Sequence, residues 1–130
     1  EIRVVDSVSP QYVMAVPALI GALLYDENAF SSVQSMLMDF PEEEFVSYKL
    51  AVAKDALHAD VNRTSFARTG LKLMETALSE IGSDEEKWLL PYFENYTKEG
   101  VTPADETLEN FRNCEEDPNK WLDKVLDIPF

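Results

Sequence analysis

Helix-start signals that contain proline recur along this chain and constrain its fold more than any other feature. Ser9-Pro10, Thr102-Pro103 and Asp117-Pro118 each place a capping side chain before a proline, and Pro41 is followed by Glu42, Glu43 and Glu44. A Ser, Thr or Asp side chain satisfies free N–H groups, and proline suits the first helical position because it lacks an N–H. The chain is therefore predicted to consist mainly of separate helices.

Apolar residues at helical spacing fill the intervals between these signals. Seven segments follow this pattern: 12–24 with a bend near Pro17, 26–40 with Asp26 as its cap, 41–57, 66–81, 83–100, 102–112 and 117–129. The polar residues 58–64 are predicted as a loop, with Asn62 or Thr64 as the next cap.

Two glycines and one proline refine these helices. Gly70 is predicted to allow a close approach by another helix, and Gly82 to follow the end of its helix as the C′ residue. Ser83 is predicted to form a capping box with Glu86. Pro91 is predicted to kink the helix over residues 83–100, in which it lies, or to delay the start of that helix.

The first six residues, EIRVVD, differ from the rest because they are rich in β-branched residues and alternate. Such a segment is predicted as a strand with Glu1 and Arg3 on one face. The predicted fold class is mostly α: a bundle of about six helices preceded by one N-terminal strand, with residues 1–130 as a single domain. One strand has no sheet partner in this chain, so the strand is expected to belong to a larger α+β fold.

The net charge of the chain limits the kinds of partner that it is expected to bind. Asp and Glu number 25 against 11 Lys and Arg, which gives a net charge of −14 over 130 residues. This field repels nucleic acid and anionic membranes, so neither is expected as a partner. Cys114, as the single cysteine, cannot form an internal disulfide, and no apolar run approaches the roughly 20 residues of a membrane helix. A cytoplasmic location is expected.

Several residues that could bind ligands or act in catalysis are expected to have structural roles instead. The acidic triplets at 42–44, 84–86 and 115–117 lie at predicted helix starts, where carboxylates interact favourably with the helix dipole. His58 is expected on the surface, and Cys114 is expected to be inert because acids follow it directly. The aromatic residues Trp88, Tyr92, Phe93, Tyr96, Phe111 and Trp121 are expected to be core more than ligand pocket.

Glu1 and Arg3 are the pair of residues that indicates a catalytic site. A carboxylate can bind a divalent metal while a guanidinium binds phosphate oxygens, as ATP-dependent reactions require. A surface ion pair is the alternative interpretation of the same spacing.

Three further segments extend this observation into a family resemblance. After EIRVVD come VPAL at 16–19, LLYD at 23–26 and GVTPA at 100–104. Together they resemble the C-terminal part of glutamate–cysteine ligase in its plant and proteobacterial branch. That branch has a Leu-Glu-x-Arg-x-x-Asp strand, a helix with Leu-Pro-Ala and Gly-Leu-Leu-Tyr-Asp, and a late Gly-x-Thr-Pro-Ala segment. Related carboxylate–amine ligases share the strand motif, which leaves the amine acceptor open.

The resemblance implies an ATP-dependent ligase that joins the γ-carboxylate of glutamate to the amine of cysteine, the first step of glutathione synthesis. It implies that Glu1 is a ligand of Mg²⁺ and that Arg3 is both a catalytic and an ATP-binding residue, which steadies the transferred phosphate. The remainder of the ligase would be the partner of this chain. The chain alone is not expected to be competent, because metal binding needs several ligands.

An acidic binding protein is the alternative from another functional class. A small helical module of charge −14 could mask a basic partner. Such a module has no evident use for a strand that carries Glu1 and Arg3.

Overall fold

A computed structural model describes residues 9–38, 40–61 and 63–126, with side chains as far as Leu122. This part of the chain contains seven α-helices and one antiparallel two-stranded sheet. The elements in order are α1 (Ala15–Tyr25), α2 (Glu27–Leu37), α3 (Phe45–Asp55), β1 (Asp60–Val61), β2 (Thr64–Ser65), α4 (Phe66–Glu80), α5 (Ser83–Tyr92), α6 (Pro103–Asn113) and α7 (Pro118–Leu126). The predicted mostly α fold is confirmed, whereas the strand predicted at residues 1–6 lies outside the described residues.

Short turns of other helix types join these elements. Three 3₁₀ turns lie at Pro10–Tyr12, Glu42–Glu44 and Ala56–His58, and a π-helical turn at Phe93–Thr97 follows α5 directly. In the π-helical turn, Lys98 N donates to Phe93 O at 2.9 Å, which is a bond across five residues.

The core lies where α1 packs against α4 and α5. Its buried members are mostly small or unbranched at Cβ: Ala15, Ala22, Met74, Ala77 and Leu89. Helices approach closely where the contact residues are small, because side-chain size sets the distance between helix axes. Leu89 fills the remaining space and is fully buried.

An aromatic cluster attaches α3 to the body. The Tyr48 ring lies 5.4 Å from Phe40 and 5.8 Å from Phe66, both in edge-to-face contact. Tyr48 is the buried residue of α3, so this cluster fixes which side of the helix faces inward.

Gly70 in α4 permits a close approach, as predicted. A Cβ atom at Gly70 would lie 3.3 Å from Leu57 Cδ2, a side chain of the 3₁₀ turn at Ala56–His58. The approaching element is therefore a turn and not a full helix.

Two of the predicted caps form as expected. Asp26 Oδ1 accepts hydrogen bonds from Asn28 N and Ala29 N, both at 2.9 Å. At α6, Thr102 Oγ1 accepts from Asp105 N, and Asp105 Oδ2 accepts from Thr102 N at 2.7 Å. Each cap satisfies N–H groups that the first helical turn leaves without partners.

Two predictions for the first half of the chain differ from the structure. The helix predicted over 12–24 is divided before Pro17: the 3₁₀ turn ends at Tyr12 and α1 begins at Ala15, with Pro17 as its third residue, where its missing N–H breaks no helical bond. Residues 58–64 are not simply a loop, since Asp60 pairs with Ser65 and Val61 with Thr64. Because that pairing extends the backbone through Thr64, Ser65 becomes the cap of α4, and its Oγ accepts from Arg68 N.

The start of α5 also differs from the prediction. Gly82 has a φ of −73° and precedes α5 as its N-cap, so Ser83 is already helical and forms no capping box. The carbonyl of Gly82 accepts the hydrogen bonds of Glu85 N and Glu86 N. Pro91 does not delay the helix, which begins at Ser83 and changes to the π-helical turn only after Tyr92.

Within the described ranges, no single helix combines the length and the apolar composition needed to cross a membrane. The segments Pro10–Tyr25 and Glu27–Leu37 reach that length and composition only as a pair, with a bend of 88° between them.

Candidate functional site

The two residues predicted to carry the chemistry, Glu1 and Arg3, lie outside the described residues. The described chain begins at Ser9, whose carbonyl accepts a hydrogen bond from Tyr12 N at 2.8 Å. Arg3 precedes Ser9 by six residues, so an extended chain could separate their Cα atoms by at most about 20 Å. The surroundings of Tyr12 are therefore the described region nearest in sequence to the predicted site.

Three tyrosines meet beside the first described residues. The Tyr12 ring lies 5.6 Å from Tyr92 and 5.3 Å from Tyr96, in edge-to-face contact with each. Tyr92 and Tyr96 lie 5.1 Å apart. Edge-to-face pairs are favourable because the positive ring edge meets the negative ring face. The cluster therefore ties the start of the described chain to α5 and the π-helical turn.

A cleft of about 460 Å³ opens next to these rings, and we call it the tyrosine cleft. Its lining comes from the first 3₁₀ turn, the π-helical turn and α6: Gln11, Tyr12, Asn95, Tyr96, Val101, Asp105, Glu106 and Glu109. The two turns contribute the aromatic rings of the lining, and α6 contributes three carboxylates.

Hydrogen bonds hold both tyrosine hydroxyls of the cleft. Asn95 Nδ2 donates to the Tyr12 hydroxyl at 2.9 Å, across 83 residues of sequence. The Tyr96 hydroxyl donates to Glu106 Oε2 at 2.6 Å. Burial, followed by this bond to Glu106, raises the pKa of the Tyr96 phenol well above its usual value. Tyr96 is therefore a hydrogen-bond donor at neutral pH and not a general base.

Asp105 is held by the helix start that it caps. The hydroxyl and the backbone N–H of Thr102 both donate to its carboxylate and hold the pKa of Asp105 below its usual value. Asp105 is consequently ionised at neutral pH and adds negative charge to the cleft.

The chemistry available in the cleft is recognition of hydrogen-bond donors or positive charge by carboxylates beside aromatic rings. Over the ranges 9–38, 40–61 and 63–126, no group of three His, Cys, Asp or Glu side chains is placed to hold a metal ion.

The other residues considered from the sequence lie apart from this cleft or only partly in it. His58 is exposed, as predicted, and Cys114 is half-buried. Tyr96 is buried and also lines the cleft, so core and ligand pocket are not alternatives for this residue. Phe111 and Trp121 pack on each other at 6.2 Å, between α6 and α7.

Sequence reasoning did not identify Tyr12, Asn95, Glu106 or Glu109 as a group. Tyr12 and Asn95 are too distant in sequence for any local pattern to pair them. Only the Thr102 capping box gave a local signal, because it fixes the start of α6 and with it the face that carries Glu106 and Glu109.

Comparisons with protein-family models, with curated proteins and with solved structures found no match to this chain.

Proposed function

We propose that this chain is the C-terminal part of an ATP-dependent ligase of the glutamate–cysteine type. The observation that carries the proposal is the resemblance of four segments, EIRVVD, VPAL, LLYD and GVTPA, to that family in order and at similar separation. The alternation of the first segment would place Glu1 and Arg3 side by side.

One contact between distant parts of the chain supports the proposal. VPAL and LLYD belong to α1 and its junction with α2, and GVTPA forms the turn into α6. Tyr12, four residues before VPAL, accepts a hydrogen bond from Asn95, five residues before GVTPA. The start of the described chain therefore lies beside the segment that leads into GVTPA.

Exposed apolar residues beside the same region also support a larger assembly. Val13 and Met14, directly after the tyrosine of the first 3₁₀ turn, are large apolar residues with exposed side chains. Exposed apolar groups next to a functional segment are typical of surfaces that another part of a protein covers. The remaining strands of the ligase would supply that cover.

The proposed reaction has two steps. A γ-carboxylate oxygen of glutamate attacks the terminal phosphorus of ATP, and ADP leaves with the electron pair of the broken bond. The cysteine amine then attacks the carbonyl carbon of the acyl phosphate, loses a proton and displaces inorganic phosphate. Arg3 would bind the phosphoryl oxygens bidentately during both steps, which offsets the charge that develops on them.

Glu1 suits a role at Mg²⁺, because hard cations prefer carboxylate oxygens. When bound, Mg²⁺ would neutralise part of the phosphate charge. Glu1 supplies one ligand, so the others would come from the remainder of the ligase.

The test is product formation by the intact protein. It should form γ-glutamylcysteine and ADP in equal amounts from glutamate, cysteine and ATP, as measured by mass spectrometry. Parallel reactions with other amines would reveal a different acceptor while keeping the reaction class. An intact protein that forms no ATP-dependent amide with any amine would refute the proposal.

The acidic binding protein remains the second candidate, and the net charge of −14 is the observation that favours it. Binding of a basic partner by such a surface should weaken strongly with salt. Salt-sensitive binding together with absent ligase activity would select this candidate.

A further inference from the structure

Several donors in the lining of the tyrosine cleft are already used by neighbouring acceptors. The Tyr96 hydroxyl donates to Glu106 Oε2 at 2.6 Å, and the other carboxylate oxygen of Glu106 has no partner among the described residues. Asn95 donates from Nδ2 to the Tyr12 hydroxyl, which leaves its amide oxygen Oδ1 as an acceptor. A ligand in this cleft therefore meets mainly acceptors.

The cleft also carries negative charge without a basic side chain in its lining. Asp105, Glu106 and Glu109 contribute three carboxylates, and none of the described lining residues is Lys or Arg. Two hydrogen bonds from Thr102 hold Asp105 in its ionised form. Glu109 forms no hydrogen bond or ion pair within the described part of the chain. The field in the cleft therefore favours a cation.

Buried rings and an unusual turn fix the positions of these acceptors. Tyr12 and Tyr96 are each 7% exposed, so packing holds both rings in place. Asn95 and Tyr96 belong to the π-helical turn at Phe93–Thr97, and turns of this kind are frequent at functional sites. A site arranged before its ligand arrives loses less entropy on binding.

We propose that the tyrosine cleft binds a small organic cation that carries a guanidinium group. A guanidinium is planar and has several N–H donors, so it can bond to carboxylates and to an amide oxygen at the same time. It is also more weakly hydrated than an ammonium group, which suits a cleft whose lining includes two tyrosine rings and Val101.

The spacing of the carboxylates and the size of the cleft fit such a ligand. Glu106 and Glu109 are three residues apart on α6, which places their Cβ atoms about 5–6 Å apart on neighbouring turns. One guanidinium can therefore donate to both. The cleft volume of about 460 Å³ lies within the range of small-molecule sites. The proposal goes beyond the ligase assignment and does not depend on it.

The test compares two probes of nearly the same shape and different charge. Butylguanidinium is a cation at neutral pH, whereas butylurea is neutral and has an oxygen in place of one nitrogen donor. Ligand-observed NMR with the intact protein measures the Kd of each probe at about 0.15 M salt. We expect a Kd of about 1 mM for butylguanidinium, as for a small ligand with few contacts, and binding at least tenfold weaker for butylurea.

Two glutamate variants locate the bound cation. Glu109→Gln should weaken the binding of butylguanidinium about tenfold, because hydrogen bonds between ionised groups are stronger than neutral ones. Glu27→Gln is the matched control, since it removes the same charge at an exposed position of α2, which contributes no residue to the lining. The control variant should bind butylguanidinium as the wild type does.

Four results would overturn the proposal. They are no binding of butylguanidinium in the millimolar range, equal binding of both probes, an unchanged Kd in Glu109→Gln, and equal losses in the two variants. The last would mean that the net charge of −14 attracts the cation without a site. Circular dichroism melts of both variants check their folding, and the exposed positions of both side chains predict nearly unchanged melts. The measurement uses neither ATP nor turnover, so its result is independent of the ligase proposal.

Discussion

At the scale of single residues, adjacent leucines of α5 differ in burial, and we expect them to differ in their contribution to stability. Leu89 is fully buried in the core, whereas Leu90 is 37% exposed. Leu89→Ala should lower the free energy of unfolding by about 2–5 kcal/mol, from lost burial and the cavity left behind. Leu90→Ala should cost clearly less, about 1 kcal/mol or below. Urea unfolding of both variants checks this, and equal losses would contradict the described core.

The raised pKa of Tyr96 predicts that the protein loses stability at high pH. Its folded-state pKa is raised above the ordinary value of 10.0 by burial and by its bond to Glu106. The folded state therefore holds this proton more tightly than the unfolded state. The associated stability is complete below about pH 10 and is lost as the pH rises towards the folded-state pKa.

The measurement is the free energy of unfolding between pH 8 and pH 11. Tyr96→Phe should make its decline with pH less steep, because the variant has no phenol to titrate. Tyr25→Phe is the matched control, since Tyr25 is 88% exposed and should leave the slope unchanged. Identical slopes for Tyr96→Phe and the wild type would contradict the described environment of Tyr96.

The proposed role of Arg3 predicts that its replacement lowers activity without lowering stability. Arg3→Lys in the intact enzyme keeps the charge but removes the planar fork that binds two phosphate oxygens. Turnover should fall about 10²-fold or more, which corresponds to roughly 2.7 kcal/mol of transition-state stabilisation. Arg112→Lys, at an exposed position in α6, should leave turnover unchanged. Normal kinetics for Arg3→Lys would favour the surface ion pair instead.

At the scale of elements, capping explains which helix starts were predictable. Asp26 and Thr102 cap as expected, because each lies next to a helix whose first turn depends on local hydrogen bonds. Ser65 and Gly82 were missed because the backbone before each helix is extended. The β1–β2 pairing extends Thr64, so α4 begins after Ser65, and the extended backbone of Gly82 makes it the N-cap of α5.

The two Ser/Thr-Pro signals give a direct test of this explanation. Thr102 caps α6 through its side chain, whereas Ser9 makes no side-chain cap within the described residues. Thr102→Ala should therefore destabilise the protein by about 1 kcal/mol, and Ser9→Ala by a few tenths or less. Thermal melts of the two variants decide it. A larger effect of Ser9→Ala would show that the first 3₁₀ turn is capped after all.

At the scale of the whole molecule, the sequence predicted the helical architecture but not the cleft. Helices follow from periodicity and caps, which are local. The tyrosine cleft depends on the contact of Tyr12 with Asn95 and Tyr96, and no local pattern specifies a contact over that separation. Glu1 and Arg3 stay predictions, because they were identified from a motif and lie outside the described residues.

The net charge predicts how salt acts on the whole fold. The chain carries 25 acids against 11 Lys and Arg. In the described part, three ion pairs join Lys87 to Asp84, Lys98 to Glu94 and Lys120 to Glu115, all close in sequence and exposed. Such pairs offset little of the repulsion between carboxylates that folding brings together.

Raising NaCl from about 0.01 to 0.3 M should therefore stabilise the fold, because the Debye length falls from about 30 Å to below 8 Å. We expect a gain of about 1 kcal/mol, or several degrees in melting temperature. Two exposed residues of α4 provide matched variants. At low salt, Glu75→Gln should raise the melting temperature and Lys72→Gln should lower it, and both shifts should shrink as salt is added. A melting temperature that stays constant or falls with salt would mean that the excess acids do not repel one another in the folded state.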